Sequence, residues 1–169
     1  MTAQIRVRPA APQDIPALDA ILFRAFDTLL RPDYPAEVLE HAVPLMGRAR
    51  VDLVVSGRYF VATDPKGRIL GAGGWSSAPP HGGDAQANVA NVRHFGIDPD
   101  AARQGVASAL MARVIRDAAA HGMTRLDCLS TRTAVRFYSA MGFTEVGEGD
   151  VKLGPNVSFP IVQMVRALG

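Results

Sequence analysis

The stretch FGIDPDAARQGVASALMARVIRDAAAHG, Phe95 to Gly122, decides how this chain is interpreted. A strand-like segment stops at Asp98-Pro99, and a loop of mostly small residues follows it. Apolar residues then recur at helical spacing from about Arg103. Gly122 stands where a left-handed residue commonly closes a helix. The stretch therefore predicts a strand, a short loop and a helix that begins beside a glycine, Gly105.

The start of this helix is a candidate site for an anion. The first four N–H groups of a helix lack partners within it, and the helix dipole adds partial positive charge. Gly105 lets the backbone approach a ligand closely, and Arg103 could add charge. The segment is neither a Walker loop nor a dinucleotide fingerprint, because Lys-Ser/Thr and G-x-G-x-x-G are both absent. The residues alone leave a second interpretation open, in which Gly105 is an ordinary loop residue.

Length and composition indicate one globular domain that spans residues 1–169. Hydrophobic residues make up 48 % of the chain and charged residues 20 %, which is ordinary globular usage. No apolar run approaches the roughly 18 residues of a membrane span. A net charge of +2 fits an anionic small molecule. No basic block with interleaved aromatic residues suggests nucleic acid as a partner.

Cysteine and histidine usage bears on compartment and metal binding. The single cysteine, Cys128, cannot form an internal disulfide, and the first residues lack the apolar core of a secretory signal. We therefore expect a cytoplasmic protein. The four histidines show no ligand spacing, so we expect no metal. Cys128 has no adjacent histidine or helix start to activate it, which favours a buried structural residue over a nucleophile.

The order of elements predicts an α/β (α+β) fold with a mixed sheet. About seven strands and four helices follow each other as β, α, α, β, β, β, α, β, α, β, β. The strand–helix–strand crossover predicts one parallel pair, Asn91–Ile97 beside Leu126–Ser130. The expected strands are 4–10, 59–62, 68–73, 88–98, 124–131, 145–153 and 159–166. The expected helices are 15–26, 36–46, 103–121 and 133–141.

Three segments in this order resemble the GNAT superfamily of acyl-CoA-dependent N-acetyltransferases. They are FGIDPDAARQGVASALM, LDCLST and AVRFYSAMGF, within the region Asn88 to Phe143. The first is similar to that family's pyrophosphate motif, Gln/Arg-x-x-Gly-x-Gly/Ala. Ala102 occupies the first motif position in place of Gln or Arg, which removes one side-chain contact. The resemblance implies a mostly antiparallel sheet in which one parallel pair splays apart.

The same resemblance implies a function. It implies transfer of an acetyl group from acetyl-CoA to a primary amine of a small molecule or peptide, by direct attack in a ternary complex. A homodimer is the common assembly of the family. The main chain of Phe95, Gly96 and Ile97 would pair with the pantetheine arm, and Thr131 stands where many members carry an asparagine that touches CoA. The pyrophosphate would be bound by backbone N–H groups of Arg103, Gln104, Gly105, Val106, Ala107 and Ser108.

Two residues are candidates for proton transfer. The resemblance makes Tyr138 the acid that protonates the departing CoA thiolate. Taken alone, the apolar residues that share its face of the predicted helix favour a core tyrosine instead. Asn91 stands where some relatives carry a glutamate, and an amide cannot accept the proton. His94 is the better titratable base, although strand alternation could direct it away from the substrate, and a water chain could replace it.

Two other functions stay open at this stage. A non-catalytic domain of the same fold could bind CoA without turning it over, and Asn91 and Ala102 favour that alternative. A domain that binds the phosphates of another nucleotide is the second. On the substrate side, Trp75 could stack on the acceptor, although a core position is favoured slightly.

Overall fold

A computed structural model describes residues 4–169 of the chain. Within that range the chain forms seven strands and five helices. The strands are β1 (Arg6–Pro9), β2 (Tyr59–Thr63), β3 (Ile69–Ser76), β4 (Val89–Ile97), β5 (Arg125–Ser130), β6 (Thr144–Gly154) and β7 (Val157–Ala167). The helices are α1 (Ile15–Leu29), α2 (Ala36–Met46), α3 (Val51–Val54), α4 (Val106–Ala120) and α5 (Val135–Ala140).

All seven strands join one sheet, in the order β1-β2-β3-β4-β5-β7-β6. Every neighbouring pair is antiparallel except β4 and β5, which are parallel. The predicted fold class and the predicted parallel pair are therefore confirmed. Helices cover both faces: α1 and α2 pack on one, and α4 and α5 pack on the other.

The extent of the parallel pairing differs from the prediction. Residues 89–91 of β4 pair with residues 125–127 of β5, and the ladder stops there. Beyond Asn91, β4 stays paired only with β3 and β5 only with β7, so that Gly96 lies opposite Ala72 and Ser130 lies opposite Val162. The predicted pair of Asn91–Ile97 beside Leu126–Ser130 was therefore misplaced: within those ranges only Asn91 and Asp127 pair, and the rest is a gap between splayed strands.

A β-bulge in β4 accompanies this divergence. The register between β3 and β4 shifts opposite Gly73, and His94 has a left-handed φ of 53°. A bulge adds one residue to a strand, bends it and increases its twist. It also interrupts side-chain alternation, so that Arg93 and His94 both lie on the face that α1 and α2 cover.

The start of α4 also differs from the prediction. The helix begins at Val106 instead of about Arg103, because Arg103 (φ 62°) and Gly105 (φ 83°) are both left-handed. An α-helix cannot include residues in that conformation. The short helix α3 was not predicted, since four residues are too few for a periodic pattern. None of the helices within residues 4–169 combines the length and apolar character that crossing a bilayer requires.

Candidate active site

The loop before α4 presents a row of free backbone N–H groups. Within residues 4–169, none of the N–H groups from Arg103 to Ser108 donates a hydrogen bond, and the first bond of the helix runs from Ala109 N–H to the Gly105 carbonyl. Exposed N–H groups at a helix start, aided by the helix dipole, favour a bound anion. A candidate anion site thus lies where the sequence predicted it.

The loop holds these N–H groups by its backbone conformation. Asp98 is buried and its carboxylate accepts the Asp100 N–H, which closes the turn at residues 99–101. Gly105 then turns the chain into α4, and a Cβ built on it would meet no heavy atom within 4 Å. Space at this position is therefore open, as a ligand that approaches the backbone requires.

A cavity of about 730 Å³ opens from this loop into the gap between β4 and β5. Its volume is in the ordinary range for ligand sites. Of the predicted CoA-binding residues, only Gln104 is not part of its wall, and its side chain donates to the Asp100 carbonyl instead. The predicted residues that line the cavity are His94, Phe95, Gly96, Ile97, Arg103, Gly105, Val106, Ala107, Ser108, Thr131 and Tyr138.

The outer half of β4 forms one wall of this gap. Phe95, Gly96 and Ile97 belong to the part of β4 that no longer pairs with β5. Gly96 also allows α1 to pack closely on this strand, because a Cβ at this position would lie 2.5 Å from the side chain of Leu22. The sequence predicted only that this glycine keeps the strand edge uncrowded, and it did not predict the close approach of α1.

Tyr138 lies on α5 and is 5 % exposed. Its ring makes edge-on contacts with Phe95 (6.3 Å between centroids) and Phe143 (5.3 Å). Burial raises the pKa of Tyr138 well above its ordinary value, with the neighbouring Cys128 adding to the shift. The hydroxyl therefore stays protonated at neutral pH, as a proton donor must.

Cys128 lies on β5 beside Tyr138. Burial raises the pKa of its thiol to about 12, although the hydrogen bond with Tyr138 opposes the shift. The thiolate is the nucleophilic form of cysteine, so this thiol is inert at neutral pH. Its burial and raised pKa favour a small buried hydrophobe over a nucleophile.

His94 is the titratable group nearest the bulge. Its Nε2 lies 2.7 Å from the Met46 carbonyl, which can only accept, so Nε2 carries the proton. The other nitrogen, Nδ1, then has a free lone pair, and it has no hydrogen-bond partner within the described chain. Burial lowers the pKa of His94, which keeps the ring neutral at pH 7.

Three other polar residues have local partners in the structure. The Asn91 amide donates to the carbonyls of Ser76 and Ser77 and thereby ties β4 to the end of β3. The Thr131 hydroxyl accepts the Ala134 N–H and caps the turn before α5. Trp75 is fully buried, its Nε1–H donates to Asp117, and it is a core residue outside the cavity wall.

Sequence reasoning missed two kinds of cavity residue. Thr133 has a buried hydroxyl without a partner within residues 4–169. Arg93 and Arg50 bring positive charge to the end of the cavity that lies away from α4. An arginine between valine and histidine in an otherwise apolar strand was a usable signal, because charged residues are rarely buried without a purpose.

The residues 4–169 contain no group of three or more His, Cys, Asp or Glu side chains that could hold a metal ion. The cavity therefore offers the chemistry of backbone N–H groups, one tyrosine, two histidines (His81 and His94) and several cationic side chains.

Comparisons with known proteins agree with this geometry. The family model described as the acetyltransferase (GNAT) domain matches residues 55–145, which is more than half of the chain. Mycothiol acetyltransferase from Arthrobacter sp. (strain FB24) is 30% identical over 114 residues, 66% of this chain. Those residues are 34% of that enzyme, so the chain spans about a third of the length of the curated relative that it matches.

Two solved structures share the fold over nearly the whole chain. A GCN5-related N-acetyltransferase from Rhodopseudomonas palustris aligns with a TM-score of 0.78 at 19% identity, covering 99% of this chain and 98% of that one. The PaiA N-acetyltransferase from Thermoplasma acidophilum, solved with coenzyme A, aligns with a TM-score of 0.73 at 13% identity, covering 97% and 99%. The resemblance stated from sequence is confirmed, and the chain belongs to the GNAT family of acetyltransferases.

Proposed function

We propose that this protein transfers an acetyl group from acetyl-CoA to a primary amine of a small molecule, in one domain built on the seven-stranded sheet. The observation that carries the proposal is the run of free N–H groups from Arg103 to Ser108 at the mouth of the cavity. It supplies an anion site beside the gap between β4 and β5. Acetyl-CoA suits both features, because an extended arm joins its thioester to its diphosphate.

Binding begins at the start of α4. The backbone N–H groups of Val106, Ala107 and Ser108 point out of a helix without internal partners and bind the diphosphate. Arg103 stands at the same mouth and adds a mobile positive charge. Val106 itself is 1 % exposed, so its contribution comes from the main chain while its side chain packs in the core.

The pantetheine arm then lies along the outer half of β4. That arm carries amide groups, and a free strand edge pairs with amides as it pairs with another strand. A backbone N–H of the segment Phe95–Ile97 donates to the thioester carbonyl and stabilises the negative charge that develops on its oxygen. The acetyl group is thereby placed between His94 and Tyr138, which both line the cavity.

Acetyl transfer requires three proton movements. The lone pair on His94 Nδ1 takes a proton from the ammonium, directly or through one water, and the neutral amine attacks the thioester carbon. The C–S bond breaks as the C–N bond forms, and the Tyr138 hydroxyl gives its proton to the departing sulfur. The second proton that the nitrogen loses as it becomes an amide then restores the Tyr138 hydroxyl. The products are an N-acetylated amine and the thiol of CoA.

For His94→Gln we expect kcat at pH 7.5 to fall about 10-fold, which is less than the 10²–10⁴-fold usual for a positioned base, because water can take over part of the role. In the unchanged enzyme, protonation of His94 blocks the base, and burial lowers its pKa, so kcat falls only at a pH below the ordinary range of histidine. In the variant, kcat should not show this fall at low pH, which we call the acid limb of the pH profile. Steady-state thiol release between pH 5 and 9 measures both effects.

The acid limb must be separated from unfolding. His94 has a lower pKa folded than unfolded, so protonation of the unfolded chain erodes stability as pH falls through about 6.5. Circular dichroism at each pH shows where the protein is still folded. If folded His94→Gln had the same kcat as the unchanged enzyme and the same fall in kcat at low pH, water would be the base.

The direct test of the function is a panel of amines assayed by thiol release from acetyl-CoA, together with calorimetric titration of CoA. We expect CoA to bind and thiol release to require an amine. CoA binding without any amine-dependent release would instead favour a non-catalytic CoA-binding domain. Displacement of CoA by ATP or NAD at similar concentrations would favour a general nucleotide site.

A further inference from the structure

The charged residues that line the cavity share one sign. Among the lining residues in the described part of the chain there is no aspartate and no glutamate. The cationic ones are Arg50, Arg93, Arg103, Arg136 and Lys152. Arg103 lies by the proposed diphosphate site. Arg93, in β4, and Arg50, which follows α2, lie at the end of the cavity away from α4, which we call the acceptor end. Positive charge there is not needed for CoA, and it repels a cationic acceptor.

Arg93 is the central residue of this end. It is 8 % exposed, and its guanidinium donates to Ser76 Oγ at 2.9 Å. Within residues 4–169 no carboxylate lies within 4.0 Å of it. Burial, followed by repulsion from Arg50, lowers its pKa, and attraction from Asp52 and Tyr59 opposes this only in part. A guanidinium has five N–H donors in a fork that suits an anion, so most of its capacity is free.

Because of the bulge in β4, the positive charge of Arg93 lies on the same side of the strand as the proposed reaction site. The bulge places Arg93 on the same face of β4 as His94, which is the proposed base. Gly96, in the proposed pantetheine segment, follows Arg93 by three residues, so their Cα atoms lie at most roughly 11 Å apart. A short acceptor, with a few bonds between its amine nitrogen and its far end, can therefore place the nitrogen beside the thioester and the far end beside Arg93.

Arg50 extends the same charge toward solvent. It lines the cavity beside Met46, whose carbonyl contacts His94. Its Nε lies 3.4 Å from Asp52, but that carboxylate is 64% exposed and does not line the cavity. An exposed ion pair of this kind is weak, so it leaves Arg50 able to exchange partners.

Resting on the proposed function, we propose that the acceptor is an amine that carries an anionic group, a carboxylate or a phosphate, which Arg93 binds with help from Arg50. The amine nitrogen then lies at the thioester while the anion neutralises the buried guanidinium. Polycationic amines are poor acceptors, because the same charge repels them.

Matched acceptors test the proposal on the unchanged protein. β-Alanine and 4-aminobutyrate are compared with their primary amides, O-phosphoethanolamine with ethanolamine, and spermidine serves as the polycation. We expect kcat/KM at least about 10-fold higher for an anionic amine than for its neutral partner. A preference confined to O-phosphoethanolamine identifies phosphate as the anion, and one confined to the amino acids identifies carboxylate.

Equal or better turnover of the neutral amines or spermidine would overturn the inference and leave the acetyltransferase intact. Thiol release from none of the amines, with CoA bound, would count against the proposed function itself. The two failures are thus distinguishable in one set of assays.

Arginine variants supply the second measurement. For Arg50→Gln we expect kcat/KM of the preferred anionic amine to fall about 10-fold relative to that of its matched neutral amine. Arg93→Lys should keep more of the preference than Arg93→Met, since lysine retains the charge. Arg48→Gln makes the same charge change at an exposed position outside the cavity and should leave KM unaltered. Losses in Arg50→Gln that are equal for anionic and neutral amines would overturn the assignment.

Discussion

Replacement of Tyr138 by phenylalanine should lower kcat about 100-fold and leave CoA affinity within about 2-fold. A positioned general acid contributes 10²–10⁴-fold. The lower end applies because a thiolate, whose conjugate acid has a pKa of about 8.5, already leaves readily. The phenyl ring keeps the contacts with Phe95 and Phe143. The loss therefore measures the hydroxyl rather than the packing.

Tyr34→Phe is the matched control for this experiment. Tyr34 is also buried, and its hydroxyl both donates to the Pro160 carbonyl and accepts the Arg132 N–H, but it does not line the cavity. Its loss should cost about 1 kcal/mol of stability in urea unfolding without a change in kcat. A kcat for Tyr138→Phe equal to that of the unchanged enzyme at every pH would remove Tyr138 from the reaction.

Replacement of Gly105 by aspartate should weaken CoA binding about 100-fold. A carboxylate near 5 Å from the diphosphate costs about 3 kcal/mol at an effective dielectric constant of 20. Gly105→Asn is the control, because asparagine has the same shape, tolerates a left-handed φ and carries no charge. A Cβ at this position meets no heavy atom within 4 Å, so both side chains fit in the folded protein.

Calorimetric titration of CoA at several salt concentrations checks this prediction. We expect Gly105→Asn to bind within a few-fold of the unchanged protein, and the gap between the two variants to narrow as salt screens the repulsion. Equal CoA affinity of the two folded variants would show that the diphosphate lies elsewhere.

The sequence predicted the elements well because their signals are local. Hydrophobic periodicity placed α2 at Ala36–Met46, and Asp64 to Gly67 marked the turn of the hairpin between β2 and β3. The extent of the β4–β5 pairing was missed because it depends on where two distant strands diverge. β4 is bulged at His94 and keeps only β3 as a neighbour beyond Asn91, and no local sequence pattern marks that bulge.

The site was predicted in part for the same reason. The loop at Gly105 and the helix that carries Tyr138 were recognised from motif spacing in the chain. The surroundings of His94 could not be predicted, because strand alternation fails at a bulge and the Met46 carbonyl comes from another element. Arg93 was overlooked although its place in a largely apolar strand was a usable signal. That no carboxylate lies near it among the described residues is visible only in the folded structure.

The central claim is that free main-chain N–H groups at the start of α4 bind a diphosphate, so that a thioester lies along β4. A crystal structure with CoA tests it most directly. We predict diphosphate oxygens about 3 Å from the backbone nitrogens of residues 105–108, and the pantetheine arm paired with residues 95–97. Bound CoA with its diphosphate away from α4, or an arm that does not contact β4, would contradict the claim.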